Sequence, residues 1–309
     1  MSQIRPALLS YSTMNLGDDL QTVATLPFLP HPAHSFDRDT LALQQNEGTF
    51  IILMNAWWAS YPENAFPPAS CFLPVFIGFH ISSSSASYFS QPHCIAYLKA
   101  HGPIGCRDLF TMKMLQQWGV EAFFSGCLTT TYEKREKIPE TGKVILVDTA
   151  RVNYLIPASL RQDAMALTHM FNGDPDTREK AVNDLLNLYR TTASLVITTR
   201  LHAALTCSAM GIPVVFFFRP EDPRASTAAQ IGLPIYPYLL NPPAWLKKWL
   251  KKFRLFDLWI RYEEIYFGLR YRFIKQINWT PAPLDFENHK VGLRAKTTAM
   301  IDAILHRLA

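Results

Sequence analysis

The signatures of several common enzyme classes are missing from this chain. It has no His-Glu-x-x-His, no Gly-x4-Gly-Lys followed by Ser or Thr, no Gly-x-Ser-x-Gly and no Gly-x-Gly-x-x-Gly. Zinc-peptidase, P-loop, serine-hydrolase and dinucleotide readings therefore lack the local mechanics they need. Cysteine is scarce and odd in number: Cys71, Cys94, Cys106, Cys127 and Cys207 form no Cys-x-x-Cys or Cys-x-His pair. That argues against a disulfide framework or a structural zinc site and suits a reducing compartment, so a cytoplasmic location is expected. No basic stretch runs into an apolar core near the amino terminus, so no signal peptide is expected. The most apolar long stretch, Ala203 to Phe218, is too short to span a membrane and is broken by Gly211-Ile212-Pro213. It reads as helix, turn and strand. No nucleic-acid-binding signature is present, and a net charge of +5 suits an anionic substrate or a membrane surface equally.

With 309 residues, 49% of them hydrophobic and 18% charged, the chain has enough apolar material for two cores. Apolar runs at Ala7 to Tyr11, Phe50 to Ala56, Phe72 to Ile81, Ile104 to Cys106 and Glu121 to Phe124 read as strands. Between the last two, Leu109, Met112 and Leu115 keep a helical period behind Asp108, a natural N-cap. Tyr132 to Lys143 loses the period and gains Pro139 and Gly142, so it reads as a linker between domains at 1–135 and 140–309. A second alternation follows. Strands are expected at Val144 to Asp148, Leu195 to Thr199 and Val214 to Phe218. Helices are expected around Ala158 to Phe171, at Asp176 to Tyr189 and after His202. The pattern predicts α/β architecture, with two Rossmann-like doubly wound domains facing a cleft in the glycosyltransferase-B manner and a C-terminal helical segment.

The most informative stretch runs from Leu195 to Val215. A buried strand ends at Arg200 and His202, a small-residue helix follows, and Gly211-Ile212-Pro213 leads into a second buried strand. Ligands of parallel α/β sheets bind at the carboxyl ends of the strands, where the next helix offers unpaired N–H groups to an anion. Arg200 suits bidentate recognition of carboxylate or phosphate, and His202 suits proton transfer near neutral pH. Arg107 ends another strand and is either a second cation at the cleft or an ion-pair partner of Asp108 or Glu121. Arg219 and Arg224 follow the strand Val214 to Phe218 and extend the anion site. After the first strand, Gly17 permits close backbone approach, and Asp18 either accepts a hydroxyl proton or caps the next helix. Ser125, Gly126 and Thr129 at a further strand end offer hydroxyls and amides to a sugar or phosphate, while Cys127 reads as small and buried.

The chain resembles the polysaccharide pyruvyl transferases. Arg200-Leu201-His202 with the following Ala-rich helix and Gly211-Ile212-Pro213-Val214 is similar to the family's main motif. Asn15-Leu16-Gly17-Asp18 resembles its amino-terminal turn, Ile104-Gly105-Cys106-Arg107-Asp108 a second segment, and Phe124-Ser125-Gly126-Cys127-Leu128-Thr129 a third. The resemblance implies transfer of pyruvate from phosphoenolpyruvate to two hydroxyls of one sugar in a cell-surface polysaccharide or lipid-linked glycan. It also implies no cofactor beyond that donor, with Arg200 and His202 on the donor side, and Asn15, Gly17 and Asp18 on the acceptor side. Two alternatives stay open: a nucleotide-sugar glycosyltransferase of the same plan, which would lack a Glu-x7-Glu pattern for the ribose, and a catalytically silent glycan-binding relative.

Residues 245 to 273 depart from this pattern. Trp245, Leu246, Trp249, Leu250, Phe253, Phe256, Trp259 and Ile260 recur at helical spacing beside Lys247, Lys248, Lys251, Lys252 and Arg254. A basic amphipathic helix of this kind either lies in a membrane interface, which would make the protein peripheral on the inner face of the membrane, or packs its apolar stripe on the second domain.

Overall fold

Two separate parallel sheets, each built from its own half of the chain, contribute to one hydrophobic cluster in this computed structural model. It describes residues 4–29, 31–32, 34–58, 61–219, 221–238, 244–252, 255–273 and 276–307.

The first lobe runs β1 (Ile4–Ser10), α1 (Leu16–Val23), β2 (His34–Asp37), β3 (Thr49–Leu53), β4 (Trp57–Trp58), α2 (Pro62–Ala65), β5 (Phe72–Val75) and β6 (His80–Ile81). It continues through α3 (Ala86–Phe89), α4 (Pro92–Ala100), β7 (Ile104–Cys106), α5 (Leu109–Gln117) and β8 (Ala122–Phe124). Its main sheet has the order β2-β1-β3-β5, with two short parallel pairs, β4-β6 and β7-β8, beside it. Phe50 to Leu53 of β3 are all buried, as befits a parallel strand covered on both faces. The Asp108 carboxylate accepts from the Thr111 amide and starts α5 as its cap.

The second lobe contains β9 (Lys143–Val147), α6 (Ala158–Arg161), β10 (Met165–Leu167), α7 (Pro175–Thr192), β11 (Ala193–Thr198), α8 (Leu201–Ala209), β12 (Val214–Phe217), α9 (Ala225–Gln230) and β13 (Ile235–Tyr236). The chain closes with α10 (Ala244–Lys252), α11 (Phe256–Phe273) and α12 (Glu287–His306). The sheet order β10-β9-β11-β12-β13 is doubly wound, with its switch point where the chain departs from β9 to either side.

Three sequence expectations are corrected. The span Ala158 to Phe171 is not one helix: a single turn precedes β10, whose Met165 to Leu167 pair with Ile145 to Val147 at the sheet edge. The apolar run Phe72 to Ile81 is two strands, divided at Gly78, where φ is +66° and a Cβ would strike the Asn55 amide oxygen. The basic segment 245 to 260 divides into α10 and the start of α11. β2 escaped the sequence reading because His34-Ser35-Phe36-Asp37 has one apolar side chain at an edge.

The lobes share a core. Leu16 and Leu20 of α1, Cys127 and Leu128 pack with Leu201, Ala204 and Leu205 of α8, whose small residues allow close approach. Polar contacts tie the same interface. The Leu16 amide donates to the His169 carbonyl and the Phe171 amide to the Met14 carbonyl, both at 2.9 Å. The segment taken as a linker is fastened at its start: Tyr132 donates its hydroxyl to the Leu20 carbonyl at 2.8 Å, and the buried Arg135 donates to the Ala193 carbonyl. α12, which follows the second sheet in sequence, contacts β5 and residues 128–131 of the first half.

Arg178 of α7 grips Asp19 with Nε at 3.1 Å and Nη2 at 2.5 Å while Nη1 reaches the Thr13 carbonyl. Arg178→Ala is expected to lower unfolding stability by about 3 kcal/mol, because Asp19 and the Thr13 carbonyl lose a buried charged partner. Urea unfolding followed by circular dichroism checks this, and a midpoint equal to the wild type would remove the clasp from the stability argument.

Candidate functional site

Segments that follow strands of both lobes deliver side chains to one cavity of about 410 Å³, a size ordinary for small ligands. Asn15, Gly17 and Asp18 follow β1, Trp57 opens β4 just after β3, and Arg107 follows β7. From the other lobe come Asp148 after β9, His169 after β10, Arg200 and His202 after β11, Phe218, Arg219, Asp222 and Arg224 after β12, and Tyr238 after β13. Both α1 and α8 therefore begin at the cavity, and α8 has no side chain capping its first amides.

Arg107 is the most unusual member. It is fully buried, its Nη1 donates to Gln21 Oε1 at 2.5 Å and lies 3.3 Å from His202 Nε2, and its Nε has no partner. Among the described residues no carboxylate forms an ion pair with it. Arg200 donates through Nε to Asp148 Oδ2 at 2.6 Å, and Asp148 is in turn held by the Thr168 hydroxyl and the His169 amide. Burial raises the Asp148 carboxyl, but these hydrogen bonds and Arg200 outweigh it and leave the group below its ordinary range. Arg224 forms a two-pronged pair with Asp222 at 2.9 and 2.7 Å and lies over the Phe218 ring.

His202 is neutral here. Burial, then Arg107 and Arg224, push its pKa well below the usual imidazole value. With Arg107 donating, Nε2 is an acceptor. A Cβ on Gly17 would come within 3.0 Å of Nδ1, so the glycine gives His202 its room. Asp18 is buried, with Thr13 donating to Oδ2 at 2.7 Å and Gln21 to Oδ1 at 3.2 Å. Cap duty at α1 falls to Asn15, whose Oδ1 accepts from the Gly17 amide.

Of the residues singled out in the sequence, Asn15, Gly17, Asp18, Arg107, Arg200, His202, Arg219 and Arg224 meet in this cavity. Ser125, Gly126 and Thr129 are not among its lining residues. The Ser125 hydroxyl is spent on the Cys106 and Gly126 carbonyls and the Gly78 amide, Thr129 is fully buried against Cys127, and Gly126, at φ +77°, faces His289. Arg107 is not paired with Asp108, whose carboxylate instead meets His80 Nδ1 at 2.5 Å, nor with Glu121. Asp148, His169, Trp57 and Tyr238 were not proposed from the sequence as site residues. For Asp148 the available signal was position, since it follows β9 at the switch point, whereas His169 follows the edge strand β10. Among the described residues, no group of three or more His, Cys, Asp or Glu is arranged to hold a metal ion.

A two-lobed α/β protein with a cationic, histidine-bearing cavity between its sheets is the class these features define. The family model of polysaccharide pyruvyl transferases matches residues 50–218, more than half of the chain, and the chain belongs to that transferase family. No curated protein matches the chain. Among solved structures, it is similar to an uncharacterised protein from Klebsiella pneumoniae subsp. pneumoniae, at TM-score 0.46 and 11% identity, covering 73% of this chain and 88% of that one. A UDP-GlcNAc 2-epimerase from Methanocaldococcus jannaschii, in complex with UDP-GlcNAc and UDP, gives TM-score 0.43 and 9% identity over 96% of this chain and 99% of its own. The wall teichoic acid polymerase TagF gives 0.42 and 11% over 99% and 90%. At such scores none of them bears on the chemistry of this chain.

His169 is fully buried, donates to or accepts from the Tyr189 hydroxyl at 2.8 Å, and is pushed by burial down to about 4. An unfolded histidine takes its proton below about pH 6.5, so the unfolded state binds the extra proton and stability falls as pH drops from 6.5 towards 4. The loss from this residue is about 3 kcal/mol, and His202 acts with the same sign. In His169→Gln the fall in unfolding free energy across that range should be shallower by about this amount, read from urea titrations at a series of pH values. Equal slopes would mean that His169 is already protonated in the folded protein.

Proposed function

We propose that the chain is a ketal-forming pyruvyl transferase that moves the pyruvyl group of phosphoenolpyruvate onto two hydroxyls of one sugar in a cell-surface polysaccharide or lipid-linked glycan. The observation that carries this reading is Arg107, a buried guanidinium with no carboxylate in an ion pair with it among the described residues, facing a cavity that holds three more arginines. A buried cation calls for an anion, and a donor bearing both carboxylate and phosphate supplies two. Arg107 and Arg200 grip the donor, the first amides of α8 add their dipole, and Arg219 and Arg224 widen the anion site. The sugar lies towards Asn15, Asp18 and Trp57.

The field around His202 sets the proton traffic. Bound donor charge offsets Arg107 and Arg224, so His202 gains a proton that the empty site denies it. His202 gives that proton to the donor's methylene carbon, and the first sugar hydroxyl bonds to C2 as its own proton passes to Asp18. The C2–O bond to phosphorus then breaks, with the electron pair leaving on phosphate. The second hydroxyl closes the ketal, its proton restores His202, and phosphate departs with the proton held by Asp18.

Phosphate release from phosphoenolpyruvate in the presence of glycan acceptors tests the reading, with nucleotide-sugar hydrolysis measured alongside. His202→Ala should lower turnover about a hundredfold with donor affinity little changed. Arg200→Ala should weaken donor binding by about ten- to a hundredfold, the worth of a charge-assisted contact. Full turnover in His202→Ala, or nucleotide-sugar cleavage without any phosphate release from phosphoenolpyruvate, would overturn it.

A further inference from the structure

α11 carries apolar residues on two opposite faces, and the fold uses one of them. Phe267 and Tyr271 are buried in a cluster with Val152, Ile156 and Tyr236, and Tyr271 donates its hydroxyl to the Pro237 carbonyl. On the other side Leu258, Tyr262, Ile265 and Leu269 recur at intervals of four, three and four residues, and all four are exposed, Leu258 and Ile265 at 63%. On α10, Leu250 turns inward while Trp245 and Trp249, one turn apart, stay exposed at 69% and 47%. The side chains of Lys247, Lys251, Phe253, Arg254 and Phe256 lie outside the described residues. The apolar side chains of α10 and α11 are therefore divided between a buried set and an exposed one. Exposed apolar surface of this extent marks an interaction site.

Charge selects the occupant. Residues 244–275 hold nine Lys and Arg against three Asp and Glu, a surplus of six, while the whole chain carries +5. The remainder of the molecule is thus slightly acidic, and the cationic excess is concentrated in this stretch of the sequence. Lys248, Lys252, Arg261 and Arg272 are exposed there. A second copy would bring two such faces together and repel it, whereas anionic headgroups answer the charge and acyl chains the Trp, Leu and Ile side chains.

We propose that α10 and α11 form an interfacial surface that seats the protein on an anionic phospholipid bilayer. Contact of this kind is peripheral; among the described residues no helix is long and apolar enough to cross a membrane. Tyr238 at the rim of the cavity is six residues from the start of α10, at most about 20 Å of extended chain. A lipid-borne acceptor would meet the site from that side, but the docking itself does not rest on the donor chemistry.

Co-sedimentation of the full chain with vesicles tests it. Binding is expected to phosphatidylcholine vesicles containing phosphatidylglycerol and not to phosphatidylcholine alone, and it should fall steeply with salt. Lys248→Gln with Lys252→Gln should reduce partitioning about tenfold or more. Leu258→Ser with Ile265→Ser should reduce it similarly while phosphate release with a soluble acceptor, and the circular dichroism spectrum, stay as in wild type. No binding to anionic vesicles, binding that ignores both pairs of substitutions, or a dimer in sedimentation equilibrium that Leu258→Ser dissociates would each overturn the proposal.

Discussion

The Arg107 guanidinium lies between the lobes with Gln21 and His202 as its neighbours and, among the described residues, no carboxylate in an ion pair with it. A cation in that position is costly, and the surrounding structure can be read as the means of keeping it there. α1 supplies Gln21 from one side and α8 supplies His202 from the other, and the two helices pack directly together. Their contact requires small side chains, which explains why α8 is rich in Ala, Cys and Ser. Burial holds the His202 pKa well below the usual imidazole value, and the same cation, with Arg224, pushes it further in that direction.

Asp148 and Asp222 show how the other arginines differ. Each already has a carboxylate, Arg200 through Asp148 and Arg224 through Asp222, and each side chain is partly exposed. Those pairs orient guanidinium groups that would otherwise wander in solvent. Arg107 has no such guide; Gln21 and His202 hold it from opposite lobes.

Much of this was legible in the sequence because parallel strands write themselves as short, wholly apolar runs. β3, β9, β11 and β12 fell where those runs predicted, and the polar residues after them mark the strand ends on which the cavity is built. What the sequence hid had two causes. Met165-Ala166-Leu167 is apolar but only three residues long and partly exposed at a sheet edge, so it falls within a span that reads as helix, and His169 beyond it is not marked as a strand end. Ser125 and Thr129 look like ligand-binding hydroxyls in sequence, but their hydrogen bonds are satisfied within the first lobe, which only tertiary structure reveals. Helical spacing in 245 to 273 was equally ambiguous, since periodicity reports an apolar face without saying what covers it.

The hydrogen bonds from Leu16 to His169 and from Phe171 to Met14 stitch the backbones of the two lobes along one side of the cavity, and Arg178 reinforces the seam. Other hydrogen bonds join the lobes away from that seam: the Leu109 amide donates to the Ser226 hydroxyl, and the Thr227 hydroxyl donates to the Arg107 carbonyl, both at 3.0 Å. The two walls of the cavity are thus fixed to one another at more than one place, so the spacing of side chains that come from opposite lobes, such as Arg107 and His202, is set by the fold itself.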